Sequence, residues 1–185
     1  MRKRVVIPAV LFVAVIAVSV GLYLFQPWRI FTSSTLIEDV PAAATPAATP
    51  AVESAAPSAA PSAVAPAAVP RELATGQLIS HEHASSGTAR ILELPDGSRI
   101  LRFEGLDTSD GPDLHVWLTD APVIEGSGGW YVFDDGAYLD LGALKANKGD
   151  QNYEIPAAAK LGDYSSVSIW CARFAVSFAA AELNT

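Results

Sequence analysis

Residues 165–178 read SSVSIWCARFAVSF. Val167, Ile169 and Cys171 fall on odd positions, whereas Phe174, Val176 and Phe178 fall on even ones. Side chains alternate between the two faces of a strand, so one flat strand cannot bury both sets. A bulge or bend is therefore expected across Cys171-Ala172-Arg173. Cys171 is the only cysteine in the chain, which rules out an intramolecular disulfide. Its apolar flanks argue against pairing between molecules. An unpaired cysteine reads either as a small buried hydrophobe or as a working thiol with a lowered pKa or a ligand role.

Outward from this stretch, short alternating runs dominate. TARILEL (88–94) and SRILRFEG (98–105) flank Pro95-Asp96-Gly97, a strong hairpin signal. DLHVWLTD (113–120) places Leu114, Val116 and Leu118 on one face, with His115 and Trp117 on the other. GAYLDLGAL and DQNYEIP read as two further strands. Frequent Gly, Pro, Asp and Ser turns, with no amphipathic helix and no internal repeat, predict an all-β domain over residues 71–185: a β-sandwich or small barrel of short antiparallel strands.

The N-terminal segment differs in kind. Val5 to Phe25 carries no charge after Met1-Arg2-Lys3-Arg4. As a helix it would be roughly 31 Å long, about the thickness of a bilayer core. It exceeds the usual apolar core of a cleaved signal peptide, and no cysteine follows it for lipid attachment. Basic residues before it and only Arg29 after it set the N-terminus in the cytoplasm and the C-terminal domain outside. Residues 1–30 are thus expected to be an uncleaved, single-span signal anchor in the cell membrane. Residues 31–70 are expected to be a linker. Pro41 to Pro70 holds 14 Ala and 7 Pro among 30 residues, a composition that resists folding. Extended, it would reach roughly 90 Å, so a spacer lifting the domain through a cell envelope is expected.

From Arg71 onward the chain has 8 Lys/Arg against 17 Asp/Glu, a net charge of −9. Such an acidic domain offers no footprint for nucleic acid and repels anionic lipid. No nucleophile elbow, zinc-protease helix or phosphate-binding glycine loop is present, so the domain is not expected to be an enzyme by itself.

Two clusters invite ligands. His81-Glu82-His83 would set two imidazoles on one strand face, and with Cys171 they complete the donor set of a mononuclear copper site. No methionine beyond Met1 supplies an axial sulfur or a Met/His haem pair, and no Cys-x-x-Cys-His motif is present. The simpler reading is a solvated polar strand. Asp107, Asp110 and Asp113 surround a Gly-Pro turn where calcium is a conceivable ligand. An Asx-rich turn explains the same residues.

Three blocks carry a family likeness: GPDLHVWLTDAP at 111–122, YLDLGALKANKGDQNYEIPA at 138–157, and YSSVSIWCARFAVSFAAAEL at 164–183. In wording, order and spacing they resemble the DM13 domain, from about Gly76 to Leu183. The resemblance implies a β-sandwich related to DOMON-type domains, an electron-transfer role and one signature cysteine, matched by Cys171. His115 lies inside a family block and becomes the leading imidazole. A haem or copper cofactor and an envelope redox protein as partner follow as expectations. The competing expectation is a cation-dependent binding module that contacts a cell-wall component.

Overall fold

The computed structural model describes residues 2–41 and 69–185. One helix, α1 (Arg2–Phe25), precedes ten strands: β1 (Thr35–Ile37), β2 (Arg71–Gln77), β3 (Ile79–Ser80), β4 (Ser86–Glu93), β5 (Arg99–Asp107), β6 (Leu114–Thr119), β7 (Tyr138–Ala143), β8 (Lys148–Ile155), β9 (Ser166–Cys171) and β10 (Val176–Glu182). They form two five-stranded sheets, ordered β1-β8-β5-β4-β2 and β3-β10-β9-β6-β7. Every pairing is antiparallel except β1 with β8. This is the all-β sandwich expected from the alternation.

The turn chemistry acts as read. Asp96 accepts from the Ser98 amide at 2.9 Å, and Gly97, at φ 83°, donates to the Leu94 carbonyl at 2.9 Å. Between the sheets, Ile91, Leu101, Phe103 and Ile155 meet Val116, Leu118, Val167 and Ile169, all buried. Burying one such side chain is worth about 1.5–3 kcal/mol. Leu106 follows a register shift between Phe103 and Leu106, where Gly105 adopts φ 59°, so the bulge returns an even-numbered residue to the core.

The two outer faces differ. The first sheet carries an ionic ladder in which Arg90 pairs with Glu72 and Glu104. Arg102, nearly buried, reaches Glu104 at 2.9 Å, Asn152 at 2.9 Å and the Glu38 carbonyl at 2.9 Å. The second sheet is covered by the connection from Asp120 to Ala137. Its Ala121 and Phe133 pack on Trp117, Trp170 and Ala180, so every residue of β9 is buried on one side or the other.

Composition misplaces the start of the linker. Thr35–Ile37 pair in parallel with Lys148–Asp150. Glu38 receives the Lys145 ammonium at 2.9 and 3.0 Å and the Asn152 amide at 2.7 Å. Residues 34–40 therefore belong to the fold. The Ala/Pro tract over 42–68 lies outside the described residues, but its ends are fixed. It joins β1 and β2, the opposite edges of one sheet. The connection from α1 to the sandwich is residues 26–34, so the tract is not the spacer between helix and domain. α1 itself is long and apolar enough to cross a membrane, and none of its described side chains, from Val10 onward, is buried.

Candidate functional site

Cys171 ends β9, and the chain turns back through Ala172–Ala175 into β10. The parity change is thus a hairpin turn rather than a bulge in one strand. Ala175 takes φ 49°, a left-handed conformation uncommon for alanine. Cys171 faces Val176 across the hairpin and Leu114 on β6. A second irregularity follows, a register shift between Ser177 and Ala179, which puts both Phe178 and Ala179 into the core.

The thiol is wholly enclosed, at 0% exposure. Burial pushes its pKa up; the amides of Phe174, Arg173 and Asp113 pull it back, and the Asp113 carboxylate adds to the rise. At neutral pH this sulfur is a protonated thiol, a poor nucleophile.

The hairpin turn meets the end of α1. Phe174 stacks on Phe25 with ring centroids 5.8 Å apart, and the Arg173 guanidinium donates to the Leu24 carbonyl at 3.1 Å. Close by, Arg29 donates to Asp110 at 3.1 Å and to the Gly111 carbonyl at 2.9 Å, while Thr32 donates to Asp110 at 2.6 Å. A cavity of about 390 Å³ opens between these parts, lined by Phe25, Tyr131, Phe174, Val176 and Phe178, with His83 at its side. The thiol faces the core behind Val176.

The proposed ligand sets do not assemble. His115 points to the outer face of its sheet, where Nδ1 meets Asp140 at 2.8 Å and Nε2 lies 3.4 Å from Asp113. Cys171 is on the opposite, core-facing side. His81 and His83 occupy a bend after β3, not a strand, and they separate. His81 bonds Ser177 at 2.9 Å on the outer face, whereas His83 packs on the core residue Phe178 with centroids 4.1 Å apart. The three aspartates also diverge: Asp107 pairs with Lys148 at 2.8 Å, Asp110 with Arg29, and Asp113 lies beside His115. Among the described residues no three His, Cys, Asp or Glu side chains converge as a cation site requires. Among the described residues these donors do not assemble a three-ligand copper or calcium site.

A buried polar string, not legible in the sequence, lies under the covering loop. His81 Nδ1, Ser177 Oγ and Ser168 Oγ are linked by contacts of 2.9 Å each, beside Phe133 and Trp170. Burial pushes the His81 pKa down, against a weaker upward pull from the Ile124 carbonyl, so the ring is neutral. The signal was the serine on alternate positions of β9, which reads as a half-exposed strand unless the covering loop is known.

A two-sheet sandwich, one enclosed thiol at the end where an apolar helix attaches, and polar outer-face imidazoles define a β-sandwich module on an N-terminal apolar helix. The family model described as "Electron transfer DM13" matches residues 77–183. The chain belongs to the DM13 family. No curated protein and no solved structure matches it.

Proposed function

We propose that this chain is a single-pass membrane protein whose outward-facing DM13 domain transfers electrons at the bilayer surface, with Cys171 as the residue on which its redox behaviour depends. One observation carries the reading: Cys171 stands under the turn that seats on the end of α1. If α1 crosses the membrane, that end of the sandwich lies at the outer interface, where Trp28 and Phe25 suit the headgroup region. An envelope redox protein approaching there meets the Ala172–Ala175 turn, which is exposed throughout. When that turn opens, the oxidised partner, a one-electron oxidant, takes one electron from the thiol while the S–H proton passes to water; return of the electron and a proton restores the thiol. The calcium-dependent binding reading has less support, because Asp107 and Asp110 already hold cationic side chains.

The test is voltammetry of the full chain in lipid nanodiscs, wild type against Cys171→Ser. The reading expects a reversible response in the wild type that is absent from the variant, with unchanged circular dichroism in both. The same response in both proteins would remove Cys171 from the account.

A further inference from the structure

Three aromatic rings stand in line on the outer face of the second sheet. Tyr138 opens β7, Trp117 lies on β6 and Trp170 on β9, immediately before Cys171. β7, β6 and β9 are adjacent, and the register brings the outward-facing rings together. Tyr138 and Trp117 have centroids 4.0 Å apart and planes 9° from parallel; Trp117 and Trp170 follow at 5.1 Å and 25°. Exposure falls along the line from 47% at Tyr138 to 6% and then 1%. Phe133, from the covering loop, closes over Trp170 with centroids 6.3 Å apart.

Ring quadrupoles favour offset or edge-to-face pairs, and Tyr138 and Trp117, nearly parallel with centroids 4.0 Å apart, form a close offset stack. The line provides three rings in close succession from a buried indole to a solvent-facing phenol. The Trp117 Nε1–H is buried and meets no acceptor among the described residues, a rare condition for a polar group.

We propose that Trp170, Trp117 and Tyr138 form a hole-transfer chain carrying single-electron oxidation from the Cys171 end of the sandwich to the solvent at Tyr138. It rests on the electron-transfer reading above and supplies a route for it. A high-potential one-electron oxidant docked at the Ala172–Ala175 turn removes one electron from Trp170. Trp117 refills Trp170, and Tyr138 refills Trp117. Tyr138 then loses its phenolic proton to water and becomes a neutral tyrosyl radical. A small soluble reductant returns one electron and water returns the proton. Only the Tyr138 O–H bond breaks and reforms. Trp117 is buried and no described side chain or carbonyl accepts from its Nε1–H, so its radical cation passes the charge on without first giving up a proton to a neighbouring protein group.

Flash-quench oxidation tests this in the full chain, with a ruthenium polypyridyl photo-oxidant attached through Ala172→Cys in a Cys171→Ser background. Transient absorption should show a tyrosyl radical. Tyr138→Phe should abolish that signal and leave a longer-lived tryptophan radical cation. Trp117→Phe should slow tyrosyl formation at least about tenfold, or about 1.4 kcal/mol of barrier. A tyrosyl signal that survives Tyr138→Phe, or keeps its rate in a folded Trp117→Phe protein, would overturn the proposal. If Trp117→Phe does not fold, Tyr138→Phe alone decides, since its ring is half exposed. The photo-oxidant replaces the native partner and the background lacks Cys171. Failure here therefore leaves the Cys171 reading standing, and the voltammetric failure would leave the chain standing.

Discussion

Cys171 packs against Leu114 and Val176 in the core, so a thiol reagent reaches it only when the hairpin opens. At neutral pH the native protein should react with an aromatic disulfide reagent at least about 100-fold more slowly than the denatured chain, because reaction waits on local opening. Equal rates would show an open thiol. Cys171→Ser buries a hydroxyl in an apolar site and should cost about 1–3 kcal/mol in denaturant titration. That is small against a typical total of about 5–15 kcal/mol, so the variant folds. The pKa directions give opposite pH limits. The Cys171 pKa is raised in the fold, so its contribution is complete below the ordinary thiol range and is lost as pH rises through the folded value. The His81 pKa is lowered, so its contribution is complete above about 6.5 and is lost as pH falls toward the depressed value. A His81→Phe protein should lose the acidic part of this dependence, read as thermal midpoint against pH.

At the level of elements, the strands with strict alternation were legible: β4, β5 and their Pro-Asp-Gly turn follow from pattern alone, as do the faces of β6. β1 was not. Three residues carry too little periodicity to register, and the neighbouring Ala/Pro tract dominates any window that includes them. The cover over β9 was hidden for a different reason: Phe133 is a lone anchor in an irregular polar stretch, and its partner Trp170 is distant in sequence. The same distance problem misdirected the ligand sets, since His81, His83 and Cys171 look convergent until the hairpin and bend assign each a face. The attachment of β1 yields its own test. Gly149 has φ 101°, and a Cβ there would stand 2.1 Å from the Leu36 carbonyl oxygen. Gly149→Ala should therefore expel β1, with loss of amide-exchange protection at 35–38 while β5 and β4 stay protected. Retained protection would mean β1 tolerates the clash. Burial tends to raise the Glu38 pKa, but the Asn152 amide and the Lys145 and Arg102 charges together hold it below the usual carboxylate range. Their help to β1 is thus present above about pH 4.3 and is lost as pH falls through the depressed value. Because the Glu38–Lys145 pair is partly exposed, Lys145→Ala should cost under about 1 kcal/mol.

For the whole molecule, the consequence of β1 is where the domain stands. Only residues 26–34 separate α1 from the sandwich, while the Ala/Pro tract crosses from one sheet edge to the other. Four strand spacings make that crossing roughly 19 Å. Replacing 42–68 with a flexible segment about half as long should leave the distance between bilayer and domain unchanged, as read by energy transfer to a lipid dye; a marked approach would restore the tract as a spacer. If the proposed function holds, the Cys171 end of the sandwich works at the bilayer surface. Power-saturation EPR on liposome-reconstituted protein tests it, with a nitroxide at Phe174→Cys in the Cys171→Ser background and a control label at Asp96→Cys in the far hairpin. The label at 174 should sense lipid-dissolved oxygen at headgroup depth, while the label at 96 should sense only the aqueous reagent. Purely aqueous exposure at both positions would place the Cys171 end away from the membrane.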